Sequence, residues 1–442
     1  MGKSCSGRGV LALLATLSTV ACSTPKRCIG SDGGACAPAC VPTTCVERGT
    51  RCGYLQDGCG NVLTCSDCNG GPVVVADAGP LLLRAQFVPV TPVRVADTRP
   101  GSGNLYGGQT LAPDGGLTVL FSPTYGVPKV ATAAVFKLTA VTPSAPGSFA
   151  ALPAGVVPLA APLPLLTFDG GAGAMNMVQM ALGGQGGITF LNQSAGTADL
   201  VVELSGFFIP TADPAAQYIP VAPVRFFDNP TSNTSLGPGQ VVNILSPRPS
   251  VLPANATAVV FNLTGASASV PTFFTVYPSG AVRPQTRDLE VPVTVFASSR
   301  VTASVGADGG LLLYNNAGTV LGIADLSGYY VAGGAGFRPV TPTRLFDSRI
   351  AVGPLGSGQT VKLNVGHANA VVLNVTGINP SAGTYFVIWD SDQPKPGTSD
   401  VNFLTGTTVS NTVIVQPAAD GTVSLFNNAG TISYTVDELG VY

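Results

Sequence analysis

No cysteine follows Cys68 in this 442-residue chain, so everything after it must be held by its core alone, without disulfide or thiolate-metal staples. Histidine occurs once, at His367, and there is no serine nucleophile elbow, HExxH pair or Walker loop. That weighs against triads, histidine-ligated metals and histidine general bases. Charged residues make up only 10% and nearly cancel, at a formal net charge of −2, so neither a basic surface for nucleic acid nor an acidic partner-binding tail is expected. Tryptophan occurs once, at Trp389, and long amphipathic helix patterns are missing after residue 70. What the chain does have is 45% hydrophobic residues interrupted by 55 glycines and 37 prolines. That is ample apolar matter for burial, divided by many turns, as in an all-β protein. A chain of this length is expected to form about three domains of roughly 100 to 150 residues.

Lys3 and Arg8 precede an uncharged stretch from Val10 to Ala21, which has the length and polarity of a secretory signal rather than of a membrane-spanning helix. The next residues, TVACS from Thr19 to Ser23, resemble a bacterial lipobox, in which the cysteine becomes the first mature residue and takes on lipid. Leucine is usual where Thr19 stands. The expectation is an exported protein with residues 1–21 as signal, Cys22 lipidated, and the membrane as a partner through that lipid, at the outer membrane or cell surface, or secreted.

Cys5 falls inside the signal. With Cys22 lipidated, the remaining cysteines are an even set of eight: Cys28, Cys36, Cys40, Cys45, Cys52, Cys59, Cys65 and Cys68. So small and exported a segment, residues 22–70, reads as a disulfide knot because it cannot bury enough apolar surface to hold itself. Zinc is the rival: Cys65-Ser-Asp-Cys68 has metal-ligand spacing, but a matching second pair is missing and export favours oxidation. Pairing among the eight stays open. The string CVPTTCVERGTRCGYLQDGCGNVLTCSDC, with its Cys-Gly, Asp-Gly-Cys-Gly and Cys-x-x-Cys elements, resembles a cysteine-rich module near the start of secreted myxobacterial proteins. The resemblance implies an extracellular spacer or binding knot.

After a linker at 71–86, three blocks repeat one phrase set, at 87–208, 218–330 and 337–442. PVTPVRVADTR, PVAPVRFFDNP and PVTPTRLFDSR open them. AAVFKLTAV, AVVFNLTGA and AVVLNVTGI form their middles, and VVELSGFF, IADLSGYY and TVDELGVY their ends. Short runs of valine, threonine and aromatics punctuated by Gly, Asn, Asp and Pro are strand signals. NNAGT at 315 and 427 reads as a hairpin turn, since Asn and Gly tolerate positive φ. Three tandem β-sandwich or jelly-roll-like domains of about eight strands each are expected, joined closely enough to form a stiff rod or cluster. The pattern resembles a secreted repeat of actinobacterial and myxobacterial surface proteins, with an Arg-x-x-Asp-Thr-Arg opening, an Asn-x-Thr middle and an Asp-x-Ser-Gly-Tyr-Phe close. Block one departs at Lys137 and Glu203, block two at Asn229 and Pro230, and block three in its Glu-Leu-Gly-Val-Tyr close. The resemblance implies surface location and β architecture, and no reaction.

Each block offers an early arginine and a late acid: Arg94 with Glu203, Arg225 with Asp325, Arg344 with Asp437. The expectation is that first and last strands adjoin and each guanidinium meets that acid, with Asp97, Asp228 or Asp347 accepting a second bond or capping the next turn. A repeated ligand or calcium site is the alternative, but no opening gathers the several oxygens calcium needs. His367 is placed at the start of a strand, facing solvent or capping it. Asp390 and Asp392 are the foremost candidates for carboxylate-pair hydrolysis, against a plain hairpin tip. Tyr277 and Trp389 could stack on a sugar or line the rim of the core. The expected function is a non-catalytic surface protein for adhesion or for glycan or protein binding, without cofactor or metal. The alternatives are a self-associating envelope component and, more remotely, a polysaccharide hydrolase.

Overall fold

The computed structural model describes residues 52–56, 62–66 and 85–442, apart from short stretches at 122, 124, 158–160, 172, 211–216, 230–233, 294–295 and 333–335. The chain divides into two compact units, Met1–Leu81 and Leu82–Tyr442. In the first, β1 (Cys52–Gln56) pairs antiparallel with β2 (Val62–Ser66), Gly53 standing opposite Cys65. The signal, Cys22 and the cysteine candidates other than Cys52 and Cys65 lie outside the described residues.

The second unit is all β among its described residues, eight strands to a block. Block one holds β3 (Ala85–Asp97), β4 (Gly116–Leu120), β5 (Ala133–Val141), β6 (Gly147–Pro153), β7 (Pro164–Phe168), β8 (Ala174–Ala181), β9 (Gly187–Asn192) and β10 (Asp199–Pro210). Block two holds β11 (Gln217–Asp228), β12 (Val241–Asn243), β13 (Ala258–Ala266), β14 (Thr272–Pro278), β15 (Leu289–Val291), β16 (Ala297–Ser304), β17 (Leu311–Asn315) and β18 (Leu321–Val331). Block three holds β19 (Arg338–Asp347), β20 (Thr360–Asn364), β21 (Val371–Ile378), β22 (Thr384–Asp390), β23 (Val401–Phe403), β24 (Thr408–Val415), β25 (Thr422–Asn427) and β26 (Ser433–Val441).

Every block builds two four-stranded antiparallel sheets in the same order. The inner sheets run β3-β10-β5-β8, β11-β18-β13-β16 and β19-β26-β21-β24; the outer ones run β4-β9-β6-β7, β12-β17-β14-β15 and β20-β25-β22-β23. Sequence patterning follows position. The middle strand AVVFNLTGA is buried along its whole length and therefore reads as a nearly continuous apolar run. The edge strand GLTVL buries only Val119 and alternates. Side chains of both sheets in a block meet in one core, as Phe261, Leu326, Phe274 and Leu313 do in block two.

The blocks are not strung out: their inner sheets ring a common axis, on which the edge strands β8, β16 and β24 meet pairwise. Six aromatic rings collect there. The closing rings Phe208, Tyr330 and Tyr442 form a triangle with all three centroid separations at 6.3 Å. Each opening ring then wedges between its own closing ring and that of another block: Phe87 by Phe208 (5.2 Å) and Tyr330 (4.3 Å), Tyr218 by Tyr330 (5.4 Å) and Tyr442 (4.5 Å), Phe337 by Tyr442 (5.2 Å) and Phe208 (4.9 Å). The core of block one is continuous with this cluster, so residues 82–442 pack as a single body.

One turn differs in mechanism from the sequence expectation. Gly318 and Gly430 have positive φ (54° and 59°), but the leading asparagines do not. Asn315 and Asn427 are instead wholly buried, and each side-chain amide donates to three carbonyls: Leu236, Gly237 and Gly318 for the first, Leu355, Gly356 and Gly430 for the second.

Candidate functional site

Opening and closing strands pair directly, with Arg94 opposite Glu203, Arg225 opposite Asp325 and Arg344 opposite Asp437. Arg94 reaches Glu203 at 2.7 and 3.1 Å, Arg225 reaches Asp325 at 2.9 and 3.4 Å, and Arg344 binds both oxygens of Asp437. The third arm of each fork meets the acid three residues on: Asp97 at 3.1 Å, Asp228 at 3.2 Å, Asp347 at 3.1 Å. The arginines are about a quarter to a third exposed, while their strand-partner acids are buried. Burial pushes the carboxyls of Glu203, Asp325 and Asp437 up; their arginines hold them part-way down, and for Glu203 the Arg287 N–H does too. Hydrogen bonds from Arg349 instead lower Asp347, to about 2.

These clasps continue into rows that cross each inner sheet and end at the junctions between blocks. Arg225, Asp325, Asn262 and Arg300 stand side by side in block two, and Arg344, Asp437, Asn374 and Thr412 in block three. The middle-strand asparagine of one block meets the edge strand of another. Asn411 donates to Asn262 at 3.1 Å, and Asn176 donates to Asn374 at 2.9 Å. At the junction of blocks one and two, Lys137 replaces the asparagine and Ser299 replaces its partner, and the longer cation reaches the shorter hydroxyl at 2.6 Å. Lys137 also donates to the Arg300 carbonyl at 2.8 Å. The Glu203 departure has a similar use: its second oxygen accepts the backbone N–H of Arg287 in block two at 3.0 Å.

Two junctions carry buried charge. Arg300 of block two pairs with Asp400 of block three at 2.8 Å and donates to Ser327 and to the Thr412 carbonyl. Lys137 has Asp288 as its electrostatic partner. Burial lowers the Lys137 ammonium to about 8 and raises both aspartates. Block one has Leu165 where the others have Asp288 and Asp400, and its junction with block three rests on the asparagine pair and on Thr412 bonding to Met177.

Two clefts open between blocks two and three. One, of about 300 Å³, is lined by Pro223, Trp389, Asp390, Gln393, Asp400 and Gln416 among others. Trp389 is 7% exposed, its indole N–H given to the Gln393 carbonyl at 2.9 Å, and Tyr277 is 5% exposed at the same register position of block two, so both belong to the core rim. Asp390 accepts the backbone N–H of Asp392 and secures its own turn, while Asp392 accepts that of Ala419 and ties the turn to the loop between β24 and β25. His367 lies exposed in the bend before β21. Among the described residues no three His, Cys, Asp or Glu side chains gather as a metal site. The second cleft, of about 500 Å³, has Arg225, Thr264, Tyr385, Thr398, Ser399 and Asn402 in its wall. Sequence reasoning singled out only Arg225 of these, because the wall forms only when two blocks are set side by side.

No protein-family model matches the chain, and no curated protein does. A solved structure described as "The Triple Jelly Roll Fold and Turret Assembly in an Archaeal Virus" is 12% identical over 80% of this chain and 90% of that one, with a TM-score of 0.16. So loose a superposition carries no argument about this chain.

Proposed function

We propose that the chain is a non-catalytic surface protein, exported, anchored by lipid at Cys22, and carrying a three-block β body for adhesion to glycan or protein. Each block, with two four-stranded sheets around one core, is read as a jelly-roll-like sandwich of the secreted surface-repeat type. The supporting observation is that the three blocks lock into a single body whose charged side chains are largely consumed in clasps and junctions, leaving a mainly neutral polar and aromatic wall at the second cleft. A rigid scaffold with a concave, mainly uncharged recess suits recognition rather than turnover. Mass spectrometry and lipid labelling of the mature protein, with glycan-array and cell-surface binding, test this. A diacylated Cys22 and saturable binding are expected; an unmodified Cys22 with no binding to arrays or cells sinks it. Self-association is the second reading, favoured by the apolar loop residues Leu105, Ile350 and Val352, exposed at 76%, 86% and 73%. Concentration-dependent sedimentation distinguishes it.

A further inference from the structure

The three junctions between blocks share one framework, and two of them are filled. Between blocks one and two, the Arg287 guanidinium lies 4.4 Å above the Phe273 ring and pairs with Glu290 at 2.7 Å. Between blocks three and one, the Thr167 hydroxyl bonds to Ser410 at 3.0 Å and to the Thr408 carbonyl at 3.2 Å, and Thr376 bonds to Ser410 at 3.1 Å. Strand register matches Phe273 and Glu290 to Tyr385 and Asn402, and thereby Arg287 to Ser399. At the junction of blocks two and three, serine and asparagine thus stand where an ion pair covers the aromatic ring elsewhere. The recess of about 500 Å³ is what they leave.

A second observation points to an occupant. Thr264, on β13, lines this recess at 4% exposure, and its hydroxyl has no hydrogen-bond partner within the protein, although its counterpart Thr376 is bonded. Thr398 is likewise buried and unbonded, a state shared by its counterpart Thr286. An orphaned buried hydroxyl is costly unless something bonds to it. Among the described residues the one cation in the wall, Arg225, is already held by Asp325, Asp228 and the Gly397 carbonyl, so these residues offer the recess no free charge. It offers hydroxyls and amides beside half-buried Tyr385, with Phe296 at the rim 59% exposed.

We propose that the recess between blocks two and three binds a neutral carbohydrate of one or two rings, its hydroxyls bonded by Thr264, Ser399 and Asn402 and a C–H face laid on Tyr385. The volume falls within the range of small-ligand sites, about 300–1,000 Å³, and polar hydroxyls over an aromatic face are what a sugar ring complements. The proposal rests on the surface-binding reading and gives it an address.

Calorimetric titration of the full-length protein with cellobiose, maltose and N,N′-diacetylchitobiose, with digalacturonate as charged comparator, tests it. At least one neutral disaccharide is expected to bind and digalacturonate is not. Ser399→Arg with Asn402→Glu copies side chains that the neighbouring junction already accommodates, and is expected to weaken binding about tenfold or more. Thr264→Val is expected to weaken it roughly fivefold while leaving the urea midpoint unchanged or higher, since it removes an unbonded hydroxyl. No binding by the wild type, equal binding of digalacturonate, or neutral-sugar binding unaltered in both variants overturns the site. Failure of the parent reading has another signature: the wild type binds neither arrays nor cells, whereas array binding that persists undiminished in the double variant overturns this site alone.

Discussion

Gly206, Gly328 and Gly440 sit beneath the opening aromatic ring of their blocks, and a β-carbon there has no room. One on Gly206 would stand 2.3 Å from the Phe87 ring and 2.8 Å from the Val88 carbonyl; one on Gly328 would meet the Tyr218 hydroxyl at 2.3 Å and its ring at 2.4 Å, and one on Gly440 the Phe337 ring at 2.5 Å. The glycine of each closing motif is therefore a matter of ring contact, not of a turn. Gly206→Ala is expected to destabilise by about 2–3 kcal/mol through overpacking, whereas Gly184→Ala, with nothing within 4 Å, stays within about 0.5 kcal/mol of wild type; urea denaturation measures both. The motif was visible in the sequence, but its cause was not, because Phe87 and Gly206 lie at opposite ends of a block. Asn427 shows the same limit. Its type and place suggested a turn residue, yet its amide bonds to three carbonyls, two of them in a loop about 70 residues away.

At the scale of elements, the pairing of first and last strands was legible because each partner is an uncommon residue in an apolar frame, and arginine demands two acceptors. What those strands do next was not. The Arg94 fork also reaches the Gln285 carbonyl of block two at 2.9 Å, a contact that only the assembled ring defines. Lys137 was visible as a departure from the motif, while Ser299 carried no signal until their strands were seen to meet. The β19–β26 clasp can be tested by Arg344→Met, which leaves the buried Asp437 carboxylate without its cation. A loss of about 3 kcal/mol at pH 7 is expected, with most of it regained on adding Asp437→Asn. The sign with pH follows from the raised carboxyl. A folded-state value above the unfolded one favours the protonated fold, so stability falls as pH rises from 3.8 through the raised value. Removing Arg344 raises the group further. The deficit of the variant should accordingly shrink on acidification, and a deficit constant from pH 7 to pH 4 would show that Asp437 is not the group left bare.

At the scale of the whole molecule, the axis makes three repeats into one cooperative body. Ring contacts join every pair of blocks, so no block can leave without exposing the rings of the other two. Residues 82–442 should therefore melt in a single calorimetric transition. The charge content of the junctions differs, however: a buried lysine under the electrostatic pull of an aspartate in the first, an arginine–aspartate pair in the second, and leucine in place of the aspartate in the third. Repeats that share a framework but not its charges are each matched to one neighbour, which opposes assembly in the wrong order. Lys137→Met tests both ideas. It removes the donor to Ser299 and to the Arg300 carbonyl and the positive charge that acts on buried Asp288, and is expected to cost about 1–3 kcal/mol. Asp288→Asn added to it should restore a large part, because the amide oxygen can still accept the Val276 N–H that Asp288 now accepts at 2.7 Å. The lysine itself titrates at about 8 in the fold against 10.5 unfolded. Between those values the unfolded chain holds the proton that the folded one has released, so wild-type stability gains with rising pH. The variant should lack that gain, so its gap to wild type should widen as pH rises from about 8 to 10.5. If the body is one unit, the whole transition moves down together on substitution. A small early transition splitting from an unchanged main one would mean that the blocks unfold separately and that the axial rings do not couple them.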